Sequence, residues 1–119
     1  MLLNDFFKII DISATAEKLT VQIQLDATHK IFDGHFPGNP VTPGVVQLQM
    51  VKEILEFHYK KDLLLIAISR CKFLQILNPQ NTPIIFIHIE IALADADVKI
   101  NATGLFDGTS YFKFSATYR

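Results

Sequence analysis

Apolar and polar residues alternate along two segments of the chain, and this alternation predicts a β-strand in each. In residues 19–25 every second position is aliphatic, and in residues 85–91 every second position is isoleucine. A period of two residues is typical of a strand that buries one face. Strand character also extends over residues 7–13, 63–68 (with an extension at 72–77), 98–106 and 109–118. Asp107 and Gly108 lie between the last two strands and predict a hairpin turn.

Residues 43 to about 59 have a helical distribution of apolar side chains instead. At 100° per residue the apolar positions form a broad arc. Its members are Val46, Leu48, Met50, Val51, Ile54, Leu55 and Phe57. The narrower remainder of the wheel is filled by Val45, Gln49, Lys52, Glu53 and Glu56. A helix with so wide an apolar arc is expected to be covered on most sides. Pro43 suits its first turn, because the N–H that proline lacks has no helical partner there. The order of elements favours an α+β fold in which one curved antiparallel sheet wraps one long helix.

Glycine and proline are concentrated between the second predicted strand and this helix. The chain has five glycines and five prolines, and six of these ten residues fall within residues 34–44. Proline fixes φ and glycine permits the close approach of another group, so a loop of defined shape is expected here. Loops held in this way on a rigid scaffold often carry function.

Composition narrows the class of protein. The chain has 119 residues, half of them apolar, and a formal net charge of −1. It is expected to fold as one domain over residues 1–119. A chain with this charge lacks the excess of basic residues that binding to nucleic acid or to an anionic membrane requires. A single cysteine, Cys71, excludes an intrachain disulfide and a cysteine-rich zinc site. We expect neither a signal peptide nor a membrane span in residues 1–10, and we expect a cytoplasmic protein.

The loop sequence carries a specific resemblance. Residues 34–45 read Gly-His-Phe-Pro-Gly-Asn-Pro-Val-Thr-Pro-Gly-Val. They resemble the Gly-His-Phe-Pro-x-x-Pro-x-x-Pro-Gly-Val run that opens the central helix of hot-dog-fold 3-hydroxyacyl-[acyl-carrier-protein] dehydratases of the FabZ/FabA type. The resemblance implies the hot-dog fold, with one central helix and about six strands. It also implies removal of water from a 3-hydroxyacyl thioester on acyl carrier protein to give a trans-2-enoyl thioester, in fatty acid or related lipid or polyene biosynthesis. No cofactor or metal is expected.

The resemblance gives two candidate catalytic positions, His35 and Gln49, and the start of the helix gives a third, Gly44. His35 matches the family's catalytic histidine, and a neutral imidazole is a suitable base near pH 7. The family's acidic residue, Glu or Asp, lies fourteen positions later, where this chain has Gln49. An amide can orient a hydroxyl group or a water molecule, but it does not supply a proton as a carboxylic acid does. The loss of a general acid typically costs about 10²–10⁴-fold in rate. Gly44 could present its backbone N–H, with the helix dipole behind it, to an enolate oxygen.

Other residues are expected to have weaker roles or none. The expected substrate-binding residues are Phe32, Phe36, Pro43 and Val45, although an aromatic side chain is more often plain core. Glu53 and Glu56 lie further along the helix and are not expected to reach the same point as Gln49. Cys71 is expected on a strand, inside the core or facing it. His29, His58 and His88 lack metal-ligand spacing and are interpreted as surface or hydrogen-bonded core residues.

Three functions remain open at this point. The chain is an active dehydratase, or a catalytically impaired subunit that pairs His35 with the acid of a related partner chain, or a hot-dog thioesterase or acyl-binding protein. In a thioesterase Gln49 would help to position an attacking water, but the Gly-His-Phe-Pro segment argues against that class. A dimer is expected in every case, because a small sheet around one helix leaves an edge strand and an incomplete channel.

Overall fold

The computed structural model describes residues 1–33 and 40–119. His35 and Phe36 lie outside the described residues, as does the rest of the segment 34–39. In the described part the chain forms one long helix, one short 3₁₀ turn and six strands. Their bounds are β1 Phe7–Ala14, β2 Lys18–Leu25, the 3₁₀ turn Lys30–Phe32, α1 Gly44–Tyr59, β3 Leu65–Phe73, β4 Ile84–Ala94, β5 Asp97–Phe106 and β6 Thr109–Tyr118.

The six strands form one antiparallel sheet in the order β1-β2-β4-β5-β6-β3. Strands β4, β5 and β6 are joined by tight turns. In the second turn Asp107 and Gly108 have φ of 50° and 79°. Positive φ at both central residues is the geometry of the hairpin turn that the sequence predicts. Within residues 1–33 and 40–119, strand β3 pairs only with β6 and lies at one edge of the sheet.

One face of the sheet and one side of α1 form the core. The alternating isoleucines at 85, 87 and 89 are fully buried, and so are Met50 and Ile54 of the helix. Gly104 of β5 lies opposite Phe112 of β6. A Cβ atom at Gly104 would lie 2.2 Å from the Phe112 ring, so the absence of a side chain lets that ring pack across the strand. The hot-dog arrangement implied by the sequence is therefore present, with one helix packed against six antiparallel strands.

The helical wheel was wrong about two residues of α1. Glu53 belongs to the polar remainder of the wheel but is only 1% exposed, whereas Phe57 belongs to the apolar arc and is exposed. The cause is tertiary, since the N-terminal residues Leu2 and Leu3 pack over the side of the helix that carries Glu53. The chain's own sheet leaves Phe57 uncovered.

Strand β3 also differs from its prediction. It is one continuous strand, Leu65–Phe73, and all nine of its residues are exposed. Cys71 is therefore exposed, and the prediction that it lies in or faces the core was wrong. The physical reason is the edge position of β3, where the described chain leaves most of both faces open, although Phe73 at its end contacts Gly44 of α1. Within the described ranges, no helix is long and apolar enough to cross a membrane.

Candidate active site at the start of the helix

The loop meets α1 at Pro43 and Gly44. Pro43 precedes the helix in an extended conformation, with φ −60° and ψ 148°. Its carbonyl oxygen accepts the backbone N–H groups of Val46 and Gln47 at 3.1 and 3.2 Å. The first N–H groups of a helix have no intrahelical partner, and the helix dipole makes this end electropositive. The start of α1 can therefore stabilise an oxyanion. This is the environment that the sequence predicts for Gly44, whose catalytic role stays a prediction.

A cleft of about 340 Å³ lies beside Gly44. It is lined by residues 41–44, Gln47 and residues 73–77. The ring of Phe73 packs so closely on Gly44 that an added Cβ would lie 2.6 Å from the ring. A side chain at position 44 would therefore displace this half-exposed ring, independently of any catalytic role of Gly44.

The predicted substrate-binding residues are not all part of this cleft. Pro43 lines it. Val45 does not line it, because its side chain points outward and is 73% exposed. Phe32 packs edge-on against Phe6, with the ring centroids 5.8 Å apart, and does not line it either. Phe36 and His35 lie outside the described residues.

Two polar residues of the cleft were missed from the sequence. Thr42 and Gln47 are 2% and 3% exposed, and the Gln47 Nε2 group donates to the Thr42 carbonyl oxygen at 3.0 Å. Among the described residues, neither Thr42 Oγ1 nor Gln47 Oε1 has a hydrogen-bond partner. The sequence does contain one sign that Gln47 belongs to this cleft. Gln47 lies three residues after Gly44, and residues three apart lie on the same side of a helix.

Gln49 lies in a different environment. Its Nε2 group donates to Glu53 Oε2 at 2.9 Å. The other carboxylate oxygen of Glu53 accepts the backbone N–H groups of Leu2 and Leu3, both at 2.8 Å. The prediction that Glu53 would not reach the same point as Gln49 was therefore wrong, because residues four apart on a helix are direct neighbours.

Within one chain, Gly44 and Gln49 face different sides of α1. Five residues of α-helix correspond to a rotation of about 140°. Gly44 is covered by Phe73 from the edge strand β3, whereas Gln49 is joined to Glu53 beneath the N-terminal segment. The described chain therefore does not bring these two predicted catalytic residues together.

His29 connects the 3₁₀ turn Lys30–Phe32 to the N-terminal segment through two hydrogen bonds. Its Nδ1 accepts the Ile31 N–H at 3.0 Å, so the proton lies on Nε2, which donates to Asp5 Oδ2 at 3.0 Å. This hydrogen bond holds the pKa of Asp5 below its usual value. The interpretation of His29 as a hydrogen-bonded core histidine is confirmed. In the part of the chain that the structure covers, no three metal-ligating side chains cluster.

Comparison with known proteins gives consistent results. A family model described as ApeI-like, ApeI dehydratase, matches residues 11–115. The 3-hydroxyacyl-[acyl-carrier-protein] dehydratase FabZ of Rickettsia felis is 34% identical over 86 residues, which are 65% of this chain and 58% of that protein. The FabZ of Chloroflexus aggregans is 32% identical over 78 residues, 60% of this chain and 51% of that one. The chain thus spans little more than half the length of these relatives.

A solved structure shares the fold along nearly the whole chain. It is the dehydratase heterocomplex ApeI:P from Xenorhabdus doucetiae, matched with a TM-score of 0.77 at 21% identity. The match covers 93% of this chain and 96% of the other.

Proposed function

Because the chain belongs to the ApeI-like dehydratase family, we propose that it binds 3-hydroxyacyl thioesters of acyl carrier protein and takes part in their dehydration. The product is a trans-2-enoyl thioester, in fatty acid or related lipid or polyene biosynthesis in the cytoplasm. Two relatives named as FabZ dehydratases support the substrate class. The observation that carries the proposal is the electropositive start of α1 at Gly44, which opens into a cleft with apolar walls.

Proton removal and enolate stabilisation each have a residue suited to them, whereas protonation of the leaving hydroxyl lacks a carboxylic acid at position 49. His35 takes the proton beside the thioester carbonyl, and the electron pair passes to the carbonyl oxygen as an enolate. The Gly44 N–H stabilises this negative charge, the role for which preorganised backbone donors are most effective. When the enolate collapses, the C–O bond to the 3-hydroxyl breaks and the hydroxyl leaves as water, with a proton from an acid of the partner chain or from the imidazolium that His35 formed in the first step. The apolar side chains of Phe73, Leu74 and Ile76 beside the cleft suit an acyl chain.

A second hot-dog chain completes the site in this proposal. In the described part of the chain, strand β3 has no strand paired along its outer edge, and it exposes Leu65, Ile66 and Ile68. An exposed apolar edge strand is a template for pairing with another chain. The separation of Gly44 and Gln49 on one chain supports the same conclusion, because a partner's helix can supply the group that faces Gly44. The structure from Xenorhabdus doucetiae is itself a heterocomplex. Size-exclusion chromatography with light scattering is expected to give a dimer, and a monomer near 13.5 kDa at micromolar concentration would contradict it.

The second candidate is a catalytically impaired subunit, and Gln49 favours it. An amide at this place lacks the proton that the departing hydroxyl needs, so the homodimer is expected to be slow. A heterodimer would pair His35 with an acid from a related chain and leave the second site silent.

An assay of the purified chain on 3-hydroxydecanoyl-acyl carrier protein, with and without a co-expressed hot-dog partner, separates the candidates. Enoyl product from the homodimer identifies an active dehydratase, and product only with the partner identifies a subunit. Release of free 3-hydroxydecanoate would indicate a thioesterase and overturn the proposal. His35→Ala is expected to abolish the dehydratase activity without lowering the melting temperature. If that variant keeps its activity, His35 is not the base.

A further inference from the structure

We propose that Glu53 is a positioning residue that fixes the side-chain amide of Gln49, so that Gln49 presents a hydrogen-bond acceptor to the 3-hydroxyl group of the substrate. The inference rests on the proposed function for the identity of the ligand. It goes beyond that function by assigning a role to a buried carboxylate and a direction to the amide.

The contacts of Glu53 determine which end of the amide faces outward. The Glu53 side chain is bound through three hydrogen bonds, and it is the acceptor in each of them. A carboxylate oxygen accepts and does not donate, so it is the NH₂ group of Gln49 that must face it. The carbonyl oxygen Oε1 is then the end of the amide that remains available. Among the described residues, no group donates to this oxygen.

Glu53 is itself held rigidly. Glu53 is only 1% exposed. Its Oε1 atom accepts the backbone N–H groups of Leu2 and Leu3, in the N-terminal segment that packs over the helix. Backbone donors on a packed segment do not rotate away as a side chain does. The amide of Gln49, which is only partly buried, is therefore aligned by a carboxylate that is itself buried and bound by two backbone donors.

The direction of the amide matters for the chemistry. A carbonyl oxygen accepts the O–H proton of a 3-hydroxyl group and so stabilises the bound hydroxyacyl thioester. The departing oxygen needs a donor instead, because negative charge develops on it as the C–O bond breaks. This arrangement favours binding of the hydroxyacyl group over its dehydration. It gives a physical reason for the slow homodimer expected above.

The variant Glu53→Gln reverses the amide with almost no change in shape. The amide introduced at position 53 must keep its carbonyl oxygen towards the Leu2 and Leu3 N–H groups, so its NH₂ group faces Gln49. Gln49 then has to turn its own oxygen towards that NH₂ group and its own NH₂ group towards the substrate. The wild-type preference for a donor on the ligand becomes a preference for an acceptor.

Calorimetric titration of the intact protein tests this reversal. The probes are the N-acetylcysteamine thioesters of 3-hydroxydecanoate, which has a donor at carbon 3, and of 3-oxodecanoate, which has only an acceptor there. One net hydrogen bond corresponds to about 2–10-fold in dissociation constant. We expect the wild type to favour the hydroxy probe by this factor and Glu53→Gln to favour the oxo probe.

Two further variants make the result specific. Glu56→Gln is the matched control, since it makes the same substitution three residues later, at a carboxylate bound by Lys52 and by the Leu63 N–H. It is expected to leave the preference unchanged. Gln49→Ala is expected to remove the preference altogether, and it keeps the question answerable if Glu53→Gln fails to fold.

The outcomes are distinguishable. If Gln49→Ala removes the preference but Glu53→Gln leaves it unreversed, the positioning role is wrong and the proposed function stands. If Gln49→Ala leaves the preference intact, Gln49 does not contact the hydroxyl and the inference fails. If the wild type binds neither probe, the proposed function fails and the inference fails with it.

Discussion

Replacing Gln49 with glutamate brings a second carboxyl group against Glu53, and the consequence for stability can be worked out. In the wild type, the side-chain nitrogen of Gln49 lies 2.9 Å from the Oε2 atom of Glu53. Two negative charges centred about 4 Å apart repel by about 4 kcal/mol at an effective dielectric constant of about 20. That energy corresponds to about three pKa units, so the pair should hold one proton through neutral pH.

The sign of the pH dependence follows from this shift. In the folded variant the pKa of the pair is raised above the value of about 4.3 that glutamate has in an unfolded chain. The variant should match the wild type below about pH 4 and lose stability as the pH rises through the raised pKa. By about pH 9 the loss should approach 4 kcal/mol, the full repulsion estimated above.

Urea unfolding at pH 5, 7 and 9 measures the effect. The control is the double variant Gln49→Glu/Glu53→Gln, which exchanges the two groups. It keeps an amide oxygen for the Leu2 and Leu3 N–H groups and an amide NH₂ for the new carboxylate, so stability at pH 9 should return. If the single variant is as stable as the wild type at pH 5 and pH 9 alike, the two carboxyl groups are not in contact and the described geometry is wrong.

The same variant is also expected to gain activity. A carboxyl group that shares a proton with its neighbour stays protonated near neutral pH and can act as a general acid. Dehydration by the homodimer should rise by about 10–10³-fold, a cautious share of the general-acid range. An unchanged low rate, with His35 still essential, would indicate a partner subunit or acyl-binding protein. A wild-type rate equal to that of ordinary dehydratases would show that the amide suffices.

Three further variants test other features of the structure. Thr42→Val removes a buried hydroxyl without a partner among the described residues and should raise the free energy of unfolding by about 1 kcal/mol; a loss of similar size would show that the hydroxyl is satisfied. Gly104→Ala forces a methyl group against the Phe112 ring and should destabilise the chain by about 1–3 kcal/mol in urea unfolding, whereas no change would mean that the ring moves aside freely. Burial, with a smaller contribution from the Glu56 carboxylate, raises the pKa of Tyr118 to about 12. The wild type should therefore lose about 2–3 kcal/mol of stability as the pH rises from about 10 to 12, and Tyr118→Phe should not show this loss.

The sequence predicted the parts of the fold that depend on local pattern. Alternating isoleucines gave β4, Pro43 gave the start of α1, and Asp107 with Gly108 gave the last hairpin. Burial of Glu53 was not predictable, because a helical wheel contains no information about the distant N-terminal segment that covers it. Exposure of β3 was missed for the related reason that an apolar run looks the same at the edge of a sheet and in its centre.

The candidate site was predictable in part. The Gly-Pro-rich run located the start of the helix at Gly44, and the structure places a cleft there. Val45 was assigned to the same site, but it follows Gly44 directly on the helix and successive helical residues point about 100° apart. Thr42 and Gln47 were missed, since only the three-dimensional packing shows that their polar atoms are buried without partners.

The pairing of β3 with β6 also constrains the order in which the chain can fold. Strands β4, β5 and β6 follow one another through tight turns, so this meander can form from local contacts. Strand β3 precedes all three in the sequence, yet its hydrogen-bonding partner is the last of them, with Leu65 opposite Tyr118. On a ribosome, β3 emerges long before the strand on which it docks. Its apolar surface is exposed until then. The rate of aggregation during synthesis should therefore depend on how quickly β6 is completed.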